Sequence, residues 1–176
     1  MLQYRDKTHD AARRLREACA LSGLCHEFDV PLIINDDVEL AHASGAAGVH
    51  LGEDDNGIAE TRAELGGDAI IGASCYDSLQ RAREMAAAGV DYLAFGAFFP
   101  STTKPGARHA KPDLLRDARE FRLPRVAIGG ITAENGGSLI EAGADFLAVV
   151  SALFGARDVR AAAQRFAALF HARDNA

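Results

Sequence analysis

Short, wholly apolar runs recur at intervals of roughly 25 residues, and between them apolar positions return every three or four residues. The first pattern predicts strands buried on both faces and the second predicts helices with one apolar side. The chain opens on the last residues of a strand, before the charged segment Arg5-Asp6-Lys7. Asp10 is placed to cap a helix reaching about residue 28, with Ala11, Leu15, Ala18, Cys19, Leu24 and Cys25 at roughly helical spacing on its apolar side. Leu32-Ile33-Ile34 is a strand ending at Asn35-Asp36-Asp37, and a short helix over 38–44 follows. Gly48-Val49-His50-Leu51 is the next strand, then a helix over 58–65 and a strand over 69–73 ending at Ser74. Ser78 caps a helix to residue 88, and Tyr92-Leu93-Ala94-Phe95 is a strand. A helix over 112–121, a strand over 125–128 ending at Gly129-Gly130, and a helix capped by Thr132 and running to 142 come next. The last strand covers 146–150 and ends at Ser151, and a helix over about 158–170 closes the chain.

Strict strand–helix alternation with apolar strands predicts a parallel sheet in a single α/β domain spanning 1–176. Alternation fits either a closed barrel or an open doubly wound sheet. The strand ends separate the two. Polar residues follow nearly every strand, at Gln3 to Lys7, Asn35 and Asp36, Asp55, Ser74, Ser101 to Lys104, Gly130 and Ser151. An open sheet would gather such residues at a switch point, whereas a barrel spreads them around its mouth.

Composition narrows the function classes. A net charge of −6, with no basic patch interleaved with aromatics, argues against nucleic acid as a partner. No apolar run approaches the ~20 residues of a membrane span, and no signal peptide is readable. Three cysteines without metal-ligand spacing suit a reducing cytoplasm.

The stretch Phe95-Gly96-Ala97-Phe98-Phe99-Pro100-Ser101-Thr102-Thr103-Lys104-Pro105-Gly106 concentrates candidate chemistry. Three hydroxyls and a lysine beyond a buried strand suit phosphate oxygens; a solvated turn is the bland alternative. Asp36 and Asp55, on neighbouring strand ends, suit one Mg²⁺, which takes one or two carboxylates and completes its shell with water and phosphate. At least one of Asp36 and Asp37 is expected to be a helix cap. Arg5, Lys7 and Lys104 would meet at a barrel mouth and balance a diphosphate. Gly129-Gly130 lets backbone N–H groups approach an anion, or is only a turn. His50 reads as a hydrogen-bonded core residue rather than a ligand, and no Ser-His-Asp or Cys-His set is readable.

Gln3-Tyr4-Arg5-Asp6-Lys7, Asn35-Asp36-Asp37, Gly48-Val49-His50-Leu51-Gly52, Ile71-Gly72-Ala73-Ser74, Phe95-Gly96, Thr103-Lys104, Ala127-Ile128-Gly129-Gly130-Ile131 and Val150-Ser151, in this order, resemble the thiamine phosphate synthase family. The resemblance implies a TIM barrel and a Mg²⁺-dependent cytoplasmic transferase of thiamine biosynthesis. It would join a hydroxymethylpyrimidine diphosphate to a thiazole phosphate and release pyrophosphate. Carried over by position, Gln3, Tyr4, Arg5, Asp6, Lys7, Asn35, Ser74 and Lys104 would hold the pyrimidine diphosphate. Asp36 and Asp55 would bind Mg²⁺, and Ser101, Thr102, Thr103, Gly130, Val150 and Ser151 would hold the thiazole phosphate. Arg5, Lys7, Ser74 and Lys104 would act on the reacting diphosphate.

The family's usual Thr-x-Thr-Lys is Ser101-Thr102-Thr103-Lys104 here, which keeps the hydroxyl. The family pattern also carries one more strand and helix, about 30 residues, before Gln3. Seven strands are readable where a closed barrel needs eight, so an N-terminally truncated barrel is expected. Such a barrel would have an open side beside 146–150, a loop over 4–7 held at one end only, oligomerisation through exposed edges, and weak activity rescued by an upstream extension. Two rival readings are an isomerase like the related thiazole tautomerase and a non-catalytic phosphate-binding fragment. The tautomerase would not need both the Mg²⁺ pair and Arg5, Lys7 and Lys104.

Overall fold

The computed structural model describes residues 1–52, 57–100 and 109–174. They form two compact units, one of residues 1–74 with 87–91, the other of 75–86 with the chain from 92 onward. Among them seven strands alternate with helices, the α/β arrangement that the apolar periodicity predicts.

In the first unit β1 (Leu2–Tyr4), α1 (Ala11–Glu27), β2 (Leu32–Asn35), α2 (Val38–Ser44), β3 (Gly48–Leu51), α3 (Ile58–Leu65) and β4 (Ile70–Tyr76) follow in order; the last two residues of β4 and most of α4 (Leu79–Ala88) belong to the second unit. Each strand pairs in parallel with the next, with Tyr4 beside Ile34, Asn35 beside His50 and Leu51 beside Ala73. Ile33, Ile34, Val49 and Ile71 are fully buried, as strands covered on both faces require. Gly48 has a packing reason: a Cβ there would lie 1.8 Å from the carbonyl oxygen of Ile70 on the paired strand.

The second unit holds β5 (Tyr92–Gly96), α5 (Asp113–Asp117) continuing into a 3₁₀ turn over Ala118–Phe121, β6 (Arg125–Ile128), α6 (Gly136–Glu141), β7 (Phe146–Ala148), α7 (Ser151–Phe154) and α8 (Val159–Asp174). β5, β6 and β7 pair in parallel, with Gly96 beside Ile128 and Ile128 beside Ala148. Leu93, Phe95, Leu115 and Leu139 make its fully buried core.

Several element ends differ from the sequence reading, each for a local reason. The helix expected from Thr132 begins only at Gly136. The Asn135 carboxamide accepts from the Thr132 backbone N–H (2.8 Å) and closes a turn in place of the first helical turn, and Gly136-Gly137 gives little helical drive. β7 stops at Ala148, because Val150 turns out of the strand to cap α7. β4 runs on to Tyr76, and α8 to Asp174.

A recurring device ties strand starts together. Asp91 accepts from the backbone N–H of Ile71 (2.7 Å) and from Arg62 (2.8 Å) in the first unit. Asp145 likewise accepts from the backbone N–H of Arg125 (2.9 Å) and from its guanidinium (2.9 Å) in the second. Both follow a helix-ending glycine, in Gly89-Val90-Asp91 and Gly143-Ala144-Asp145. Asp145→Ala is expected to lower stability by about 1–3 kcal/mol through the lost charge-assisted bonds, read by denaturant unfolding.

Candidate active site

Alternation along β1 and the loop after it sorts the first candidate residues into two sets. Gln3, Arg5 and Lys7 are exposed, while Leu2, Tyr4 and Asp6 are half-buried. The inner set reaches α1. The Tyr4 hydroxyl donates to Glu17 Oε2 (2.7 Å), and Asp6 Oδ2 accepts from Arg13 (2.5 Å). Partial burial and the Glu17 carboxylate push the Tyr4 hydroxyl up to about 12, so it stays a donor. Asp6 also accepts from the Thr8 backbone N–H (2.8 Å), which with Arg13 holds its carboxyl below the usual range. The loop is thus tied to α1 at Tyr4, Asp6 and Thr8, which corrects the expectation of a loop held at one end only.

Of the outer set, Lys7 meets the residue just beyond β2. Lys7 Nζ donates to Asp36 Oδ2. Asp36 takes a left-handed conformation (φ +63°), and its backbone N–H donates to the carbonyl of His50 (2.8 Å). Aspartate tolerates that conformation better than most residues. Asp37 is the helix cap: it accepts from the Leu40 N–H (2.8 Å), and its other oxygen accepts from Arg14 (2.7 Å). The expectation that at least one of the two aspartates caps a helix is met by Asp37, while Asp36 is paired with Lys7.

Lys7, Thr8, Arg14, Asn35, Asp36 and Asp37 line an open cleft of about 590 Å³. Asp6, Glu39 and Glu64 also border it, so carboxylates outnumber the two permanent cations, Lys7 and Arg14. An anionic ligand would be repelled from such a cleft unless a divalent cation came with it. Among the described residues no group of three or more His, Cys, Asp or Glu is arranged to hold a metal.

Ser74, near the end of β4, lies 2.9 Å from His50 Nε2 through its hydroxyl. His50 is buried, and burial pulls its imidazole down to about 4 against a weaker opposing pull from Asp36. The expectation of a hydrogen-bonded core histidine is met, with Ser74 as a partner. On acidification the unfolded chain takes up the His50 proton near its ordinary 6.5, before the folded chain does. Stability present above that pH is thus lost as pH falls from 6.5 toward 4, by up to about 3 kcal/mol. In His50→Gln the unfolding free energy is expected to fall less steeply across this window.

In the second unit Gly130 and Val150 each lie two residues beyond the paired Ile128 and Ala148, so their backbones emerge on adjacent strand ends. Gly130 sits at φ +62°, and a Cβ there would meet the carbonyl oxygens of Phe99 (2.6 Å) and Pro100 (2.5 Å). Its glycine is therefore required by the turn itself. Asn135 donates to the Gly130 carbonyl (3.1 Å) and fixes the loop. Ser151 starts α7. Asp55, Ser101, Thr102, Thr103 and Lys104 lie outside the described residues.

The family model described as thiamine monophosphate synthase matches residues 1–153. The chain belongs to the thiamine monophosphate synthase family. It is 57% identical over 169 residues to the thiamine-phosphate synthase of Xanthomonas campestris pv. campestris, covering 96% of this chain and 82% of that protein. It is 56% identical over 172 residues to that of Thiobacillus denitrificans, covering 97% and 82%. The solved thiamine phosphate pyrophosphorylase of Pyrococcus furiosus matches with a TM-score of 0.85 and 36% identity, over 95% of this chain and 80% of that one. The α/β barrel class expected from the strand ends is met by this likeness.

Sequence reasoning missed three supports of this family member's site. Arg13 and Glu17 carry a legible signal, since charged residues at i and i+4 on α1 stand over the preceding loop. Asn135 follows Thr132 by three residues before two glycines, a turn signature that competes with helix capping.

Proposed function

We propose that the chain is a thiamine phosphate synthase, a transferase that condenses the pyrimidine diphosphate with the thiazole phosphate. The observation that carries this reading is the meeting of Lys7, Asn35 and Asp36 on one carboxylate-rich cleft, in a member of this family. In it Arg5, Lys7, Asn35, Ser74 and Lys104 hold the diphosphate, and Gln3 holds the pyrimidine end. Tyr4 and Asp6, bonded to Glu17 and Arg13 of α1, hold the segment that carries that set, and Asp6 also borders the cleft. Backbone N–H groups at Gly130, Val150 and Ser151, with the hydroxyls of Ser101, Thr102 and Thr103, hold the thiazole phosphate.

Asp36 and Asp55 would hold Mg²⁺, which neutralises charge on the departing pyrophosphate when bound. The excess of carboxylates around the cleft fits that ion. The reaction proceeds by breaking the bond between the pyrimidine methylene and the diphosphate oxygen, whose electron pair leaves with pyrophosphate. The thiazole nitrogen lone pair then forms the new carbon–nitrogen bond, and the positive charge ends on the thiazolium ring. No proton transfer is required, so a neutral His50 suits the chemistry. The protein's part is positioning and electrostatic preorganisation. No helix among the described residues is long and apolar enough to cross a membrane. A cytoplasmic location is part of the same proposal, and it rests on the family likeness.

The isomerase alternative is separated by substrate dependence. Pyrophosphate release is expected only when both substrates and Mg²⁺ are present, with no isomerisation of a thiazole phosphate supplied alone. Isomerisation without the pyrimidine diphosphate would support the tautomerase instead.

A further inference from the structure

We propose that Arg13 is a positioning residue that sets the diphosphate-facing side of the loop between β1 and α1. The inference rests on the diphosphate site proposed above and deepens it. One terminal nitrogen of the Arg13 guanidinium donates both to Asp6 Oδ2 (2.5 Å) and to Thr8 Oγ1 (2.8 Å). Asp6 and Thr8 flank Lys7, and Asp6 closes on the Thr8 backbone N–H (2.8 Å) and hydroxyl (3.0 Å). The segment is thereby folded over one guanidinium, and Lys7 projects the other way, to Asp36.

Helix α1 does not need this contact for its own integrity. Asp10 caps it by accepting from the Arg13 backbone N–H (2.9 Å), independently of the side chain. The Tyr4–Glu17 bond already ties the end of β1 to the helix. What the guanidinium adds is order at residues 6 to 8, before any ligand arrives. A loop ordered in advance loses less freedom on binding, so the gain appears as affinity for whatever Lys7 and Arg5 contact. A planar fork can satisfy two oxygen acceptors in fixed directions, which a lysine ammonium on a flexible stem does less well.

The test uses the whole chain and inorganic pyrophosphate with Mg²⁺ as probe, read by calorimetry, beside steady-state kinetics for both substrates. Arg13→Gln is expected to weaken pyrophosphate binding about ten-fold, the scale of one charge-assisted contact, and to raise the KM for the pyrimidine diphosphate in parallel. The KM for the thiazole phosphate stays at its wild-type value, and Arg13→Lys recovers only part of the loss. In a Lys7→Ala background the effect of Arg13→Gln shrinks to less than about two-fold, because residues acting through one another are not additive. A full ten-fold effect in both backgrounds, complete rescue by lysine, or an equal rise in both KM values would overturn the inference and leave the diphosphate site standing. Wild-type pyrophosphate affinity in Lys7→Ala would overturn the site itself and the inference with it. If Arg13→Gln fails to fold, as seen by circular dichroism, the contact is structural and the inference falls.

Discussion

Asp36→Asn reduces the rate of thiamine phosphate formation by at least about 10³-fold, the several kcal/mol that a metal contributes to stabilising transition-state charge. Asparagine is the informative substitution. It accepts the left-handed backbone (φ +63°) and keeps the N–H bond to the His50 carbonyl, so it removes charge while keeping the turn. Alanine would add backbone strain at the same position and mix the two effects. Asp37 offers no substitute carboxylate, because it caps α2 and accepts from Arg14. The check is the Mg²⁺ dependence of turnover, with circular dichroism to establish that the fold is kept. Unchanged magnesium dependence in both Asp36→Asn and Asp36→Ala would remove Asp36 from the metal site.

Lys7→Ala lowers kcat by about 10²–10³, the scale seen when one preorganised donor to a developing negative charge is removed. Lys7 sits on the Asp36 carboxylate, where the cation would meet both the proposed metal ligand and the incoming diphosphate. Its partner keeps it ordered, and the loop around it is tied to α1 through Tyr4 and Asp6. Lys7→Arg should recover part of the rate, since charge is restored with a different shape. Rapid-quench measurement of the chemical step separates this loss from slow product release. A Lys7→Ala enzyme turning over at the wild-type rate would show that the leaving group draws its charge balance from elsewhere.

Much of this was legible in the residues. Apolar runs such as Leu32-Ile33-Ile34 located the strands because a strand covered on both faces has no room for alternation. Helix starts at Asp10, Asp37 and Ser78 were readable from side chains that accept from backbone N–H groups three residues on. Thr132 misled for the same reason. Its cap signal was real, but Asn135 closed a competing turn that only the folded loop reveals. The split of Gln3, Arg5 and Lys7 from Tyr4 and Asp6 was implicit in strand alternation. It became a functional distinction only once Glu17 and Arg13, 13 and 7 residues further along, were seen to meet the inner set. Asp91 and Asp145 share a local signature, two residues after a helix-ending glycine, but only the folded sheet shows which strand's N–H each carboxylate accepts from.

The central claim is that these residues join two phosphorylated rings with loss of pyrophosphate. The most direct test incubates the purified chain with the pyrimidine diphosphate, the thiazole phosphate and Mg²⁺, and follows thiamine phosphate by oxidation to its fluorescent thiochrome. One thiamine phosphate is expected for each pyrophosphate released, and none when either substrate or Mg²⁺ is omitted. Pyrophosphate release without thiamine phosphate, or no turnover with all three present, would contradict the central claim.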